Sequence, residues 1–121
     1  DLLIPESIRR MYASSNLLKF DSAIQRSFEI ATKIPANGIT AVLSGMMARP
    51  SRTAIVEEGR VPFLWILGAL DNYINCEIIQ QKVILPANAK VLVLKNSGHM
   101  GFIEEEDKSV EVVTQFASKL F

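Results

Sequence analysis

VPFLWILGALD at residues 61–71 and KVLVLKNSGH at residues 90–99 decide how this chain folds. The first is a continuous apolar run with β-branched and aromatic members, bounded by Gly68. Such a run predicts a strand over residues 61–67 buried on both faces, as in parallel sheets. The second run predicts a strand over residues 90–95, followed by a loop at Asn96, Ser97 and Gly98. Between them, residues 74–85 read as a helix that Pro86 and Asn88 end. A strand–helix–strand unit of this length implies parallel strands joined by a right-handed crossover. The fold class is therefore α/β.

Two polar residues follow these strands. Asp71 sits just past the first and His99 just past the second. If the strands are adjacent and parallel, both lie beyond the carboxyl edge of the sheet, where open α/β sheets build their sites. Neighbouring strands are only about 4.8 Å apart, so an Asp–His hydrogen bond is within reach. A carboxylate bonded to one imidazole nitrogen fixes the tautomer of the ring. It also stabilises the imidazolium that forms when the other nitrogen takes a proton. Histidine is the side chain suited to that exchange near neutral pH.

The preceding residues are helical in pattern. Helices are expected over residues 5–15, 21–33, 39–48 and 51–58, the last ended by Gly59. Phe20, Ile24, Phe28 and Ala31 recur at helical spacing and predict one buried face. After the second strand, an amphipathic helix is expected from about residue 104 to 120, with Val110, Val113, Phe116, Ala117 and Leu120 on one face. Its acidic start, Glu104 to Asp107, suits the positive end of a helix dipole and reads as solvated.

Composition narrows the function classes. Thirteen Lys and Arg balance thirteen Asp and Glu, so the net charge is zero. That lacks the footprint of a nucleic-acid binder or of a polybasic membrane anchor. The apolar run at residues 61–70 is interrupted by Pro62 and Gly68 and falls far short of the roughly 20 residues that span a bilayer. One cysteine, Cys76, permits no intrachain disulfide and gives no sign of an oxidising compartment. No signal peptide opens the chain, and a cytoplasmic location is expected. The first residue is Asp1 rather than methionine, and two parallel strands do not make a whole sheet. A longer parent chain is therefore expected, or completion by a second copy in a homo-oligomer.

Residues 61–71 resemble the penultimate strand and acid turn of α/β-hydrolases. Residues 90–104, with Ser97–Gly98–His99–Met100–Gly101, are similar to their last strand and Gly-His turn. The resemblance covers residues 60–121 and implies the C-terminal half of that fold. Residues 1–59 would then be a helical cap or lid inserted in the sheet. It further implies a catalytic pair, Asp71 orienting His99, that activates a nucleophile earlier in the chain, most often the serine of Gly-x-Ser-x-Gly. No such motif occurs here, and Ser44 lacks the glycine two positions before it. The nucleophile would belong to a missing N-terminal half. The implied reaction is hydrolysis of a small ester or similar acyl substrate, with no cofactor and no metal. The chain by itself is expected to be inactive. Asn75 stands where many relatives have proline.

Simpler roles compete with these. His99 could be a loop histidine bonded to backbone, and Asp71 a turn former after the strand; their paired context favours the catalytic reading. Phe20, Phe28, Met46 and Met47 could line a pocket, but ordinary core is preferred. Arg49 and Arg52 could meet an anionic substrate, but solvated surface is preferred. Cys76 reads as a packing residue. Two rival functions stand. One is a non-catalytic binding or assembly module that uses an exposed sheet edge. The other is a different α/β enzyme, favoured if Asp71 and His99 lie beyond hydrogen-bonding reach, above about 3.5 Å.

Overall fold

The computed structural model describes residues 3–120. In chain order it holds α1 (Leu3–Arg10), a single 3₁₀ turn (Ser14–Asn16), α2 (Asp21–Ala31), α3 (Ala36–Ala48), α4 (Thr53–Glu57) and β1 (Phe63–Gly68). Then come α5 (Cys76–Lys82), β2 (Ala89–Leu94), α6 (Gly101–Glu104) and α7 (Glu106–Ala117). β1 and β2 pair in parallel, with Phe63 opposite Ala89 and Gly68 opposite Leu94. The α/β architecture expected from residues 61–99 is present. Pro62 has no N–H to give to a ladder, so β1 begins one residue later.

The strands are less covered than a doubly buried run implies. Gly68 and Leu94, at their carboxyl ends, are buried, while Ile66 and Val91 remain partly open to solvent. The physical reason is the sheet itself. Among the described residues it has two strands, with α6 and α7 packed against β1. A strand needs neighbours and helical cover on both faces to bury all its side chains.

A second apolar centre lies between α1 and α2. Ile8, Tyr12 and Ile24 are buried there, with Phe20, Phe28 and Ala31 packed against them. The helical face read from residues 20–31 is the face that α2 turns toward this centre. α3 differs from expectation in two ways. It begins at Ala36, directly after an extended Pro35 whose carbonyl accepts from Gly38 and Ile39. Its side chains also find no core: Met46 is 67% exposed and Met47 88% exposed. The core role preferred for these two methionines is thereby overturned, although Phe20 and Phe28 keep it. Apolar spacing marks a face able to pack, and here nothing among the described residues packs on it. Arg49 and Arg52, in the link to α4, are exposed as expected.

Two helices depart from the expected bounds. α1 ends at Arg10 rather than Ser15, because the Met11 carbonyl turns away to accept from the backbone N–H of His99 and of Met100. The expected last helix is broken at Glu105, whose backbone (φ −131°, ψ 59°) separates α6 from α7. The apolar face expected on α7 is also largely uncovered, with Val110, Val113 and Leu120 exposed and Phe116 and Ala117 partly buried.

α5 starts at Cys76 because Asn75 caps it, its side-chain oxygen accepting from the Ile78 N–H at 2.9 Å. Asn75 thus has a local task that a proline there could not perform. Cys76 is half-buried in the first turn of α5. Asn75→Ala should lower stability by about 1 kcal/mol, read as a reduced urea midpoint. An unchanged midpoint would show that the cap carries no energy.

Candidate active site

The strand pairing continues beyond both strand ends and carries Asp71 and His99 together. Ala69 donates its N–H to the Leu94 carbonyl and Leu70 to the Ser97 carbonyl, each at 2.9 Å. His99 Nδ1 then lies 2.8 Å from Asp71 Oδ2. The Asp71 side chain is 7% exposed and that of His99 39% exposed. An acid held in the wall with its histidine facing outward can orient a ring that still reaches other groups.

Asp71 uses its two oxygens for different work. Oδ1 accepts from the backbone N–H of Tyr73 at 2.7 Å and of Ile74 at 3.0 Å, closing a turn. Oδ2 is left for the imidazole. The turn-forming role and the histidine-pairing role are therefore held by one carboxyl group at once. Burial alone pushes the Asp71 carboxyl up. The N–H of Ile74, the bond from His99 and the N–H of Tyr73 outweigh it and hold it below the ordinary aspartate value. An ionised Asp71 accepts only, so Nδ1 carries the proton in this pair and Nε2 is the nitrogen free to act as a base.

Three chain segments are stacked to hold the histidine. Gly68, at the end of β1, lies so close to the histidine loop that a Cβ would fall 2.0 Å from the Gly98 carbonyl oxygen. A Cβ on Gly98 would fall 2.6 Å from the Ala13 backbone nitrogen on the far side. Only glycines let these backbones approach so closely. The α1 end is fastened to the acid turn as well. Asn72 donates to the Arg10 carbonyl at 3.1 Å, and the Tyr73 hydroxyl donates to the Ser7 carbonyl at 2.9 Å. The Tyr73 ring meets the imidazole edge-on, with centroids 5.8 Å apart, and the Arg10 guanidinium lies 5.6 Å from the Tyr73 ring centre.

The acidic stretch at residues 104–107 departs from expectation. Glu104 is 5% exposed rather than solvated. Its carboxylate accepts from the backbone N–H of Ala13 and of Gly98 and from the Asn16 amide. Glu105 accepts from the Asn96 N–H and the Ser97 hydroxyl and pairs with Lys108. Burial pushes Glu105 up, but Lys108, Ser97 and Asn96 together hold it below the ordinary glutamate value. A helix-dipole reading suits any acid at a helix start, so it could not single these two out. The available signal was the turn-rich Asn-Ser-Gly segment, whose N–H groups need acceptors once buried.

A cavity of about 230 Å³ adjoins the pair. Asp71, His99 and Gly68 form part of its wall, and Ile66, Leu94 and Phe102 make it largely apolar. Among the described residues, no three His, Cys, Asp or Glu side chains converge as a group able to hold a metal. No helix among them is long and apolar enough to cross a membrane.

Comparison with solved structures bears on the fold. Over 97% of the chain, the backbone matches a thermophilic esterase from Thermogutta terrifontis, a malate-bound structure, with a TM-score of 0.82 and 19% sequence identity. The fold is part of an α/β-hydrolase-like fold. This chain spans 43% of the length of that esterase. No family model matches the sequence, and no curated protein matches it.

The depressed carboxyls of Asp71 and Glu105 make stability depend on pH. A carboxyl that ionises more readily when folded contributes stability above its unfolded value and loses it as pH falls through its folded value. The urea midpoint should therefore fall steadily below about pH 4. Asp71→Asn and Glu105→Gln should each make that fall shallower. An equally steep fall in both variants would contradict the assignment.

Proposed function

We propose that this chain is the acid-and-histidine segment of a hydrolase that cleaves an ester or similar acyl bond in a small molecule. The observation that carries the reading is the 2.8 Å bond between His99 Nδ1 and a buried Asp71 at the carboxyl edge of two parallel strands. Asp71 fixes the ring tautomer and stabilises the imidazolium. His99 Nε2 removes the proton of a nucleophile as it attacks the acyl carbon, then returns it to the leaving group. A serine is the favoured nucleophile, supplied by residues that precede Asp1 in the parent chain. The match to under half of an esterase supports that arrangement. In this reading residues 1–59 are the helical cap segment, and no cofactor takes part.

A second reading has its own observation. Ile66, Phe102, Val110 and Val113 line an open apolar groove beside β1. An assembly module would use that groove and the strand edge to bind a second copy. Under either reading the 121-residue chain alone should associate. Light scattering should give a mass above the monomer, and a monomer across all dilutions would contradict this.

The catalytic reading is tested by expressing the whole gene product that contains these residues and assaying it on short aryl esters. The wild type should turn over, and His99→Ala and Asp71→Asn should each lower kcat by about 10⁴-fold. Equal rates in wild type and His99→Ala would overturn it. A gene that encodes only these residues, with no hydrolysis, would favour the assembly reading.

A further inference from the structure

The Glu104 carboxylate lies under the histidine loop, and the acid–base scheme above does not use it. Oε1 accepts from the Gly98 N–H at 2.7 Å. Oε2 accepts from the Ala13 N–H at 2.9 Å and from the Asn16 amide at 2.8 Å. Gly98 immediately precedes His99, so one side chain fastens the peptide that leads into the imidazole. The same side chain fastens the segment at residues 13–16, whose neighbour Met11 holds the His99 and Met100 N–H groups through its carbonyl. The loop is thus gripped at Gly98 by Glu104, at His99 by Met11, and at Asn96 and Ser97 by Glu105.

The chemistry of this point selects an acid. Three N–H donors converge on it, and two belong to backbone that has no other partner there. A carboxylate is acceptor-only and satisfies all three. A glutamine would turn an NH₂ toward at least one N–H donor, and an apolar residue would leave buried donors unpaired. The enclosed charge is costly unless such bonds are made, which accounts for its position where three segments meet.

We propose that Glu104 is the positioning residue of the Asp71–His99 pair: it sets the Gly98–His99 peptide so that Nδ1 meets Asp71. The proposal rests on the pairing of Asp71 with His99 put forward above. It makes residues 13–16 part of the support of the site, through Ala13 and Asn16.

His99 is the single histidine of the chain, so its ring signals in a proton NMR spectrum are assigned without ambiguity. The 121-residue chain should show a far-downfield Nδ1–H resonance that disappears in Asp71→Asn. In Glu104→Gln that resonance should be lost or broadened by solvent exchange while far-UV circular dichroism is unchanged. Glu104→Asp keeps an acceptor-only carboxylate but draws it back by one carbon from the Gly98 and Ala13 N–H groups. It should keep the resonance but exchange it with water several-fold faster. A folded Glu104→Gln whose resonance matches wild type would overturn the proposal. If Glu104→Gln does not fold, Glu104→Asp decides: faster exchange supports the proposal and an unchanged rate overturns it. No downfield resonance in the wild type would sink the Asp71–His99 pairing itself, a result distinct from the failure of Glu104.

Discussion

Gly68 opposite Leu94 is the register on which the site depends. Asp71 follows the first of these residues by three positions and His99 follows the second by five. A slip of the parallel pair by two residues would keep every side chain on its own face. It would also displace the acid from the histidine by about 6.6 Å, more than twice the 2.8 Å between them. Strand pairing fixes the register along the ladder, but two short strands specify it weakly. The turns beyond the strands strengthen it, through Ala69 to Leu94, Leu70 to Ser97, and the Asx turn that Asp71 makes with Tyr73 and Ile74.

Around that register, three backbone paths close on one point with glycines as the only spacers. β1 ends in Gly68, the histidine loop passes over it at Gly98, and the Met11–Ala13 bend lies beyond. Such close layering buries N–H groups that no ladder can satisfy. Glu104, Glu105 and the Met11 carbonyl are the acceptors that answer them. The early stop of α1 has the same cause. The Met11 carbonyl leaves the helical pattern where the histidine loop requires an acceptor.

What could be read from the sequence followed from local pattern. The β-branched runs located both strands within two residues, and strand–helix–strand order fixed their parallel sense. Asp71 and His99 were visible because they come directly after strands, where topology makes position informative. Glu104 was not visible, since its role is defined by Ala13 and Gly98, partners that no spacing rule connects to it. The same limit explains Met46, Met47, Val110 and Val113. Their spacing states that a face is apolar, and the presence of a covering surface is a fact about other segments.

A short sheet with an uncovered apolar flank, a histidine oriented by a buried acid, and a match to 43% of an esterase support one account. In it, this chain supplies the base and another segment supplies the nucleophile. The most direct test is to label the whole gene product with a fluorophosphonate and locate the modified residue by mass spectrometry. The account predicts a single labelled serine ahead of Asp1, with labelling lost in His99→Ala. Labelling that persists without His99, or falls within these 121 residues, would contradict it.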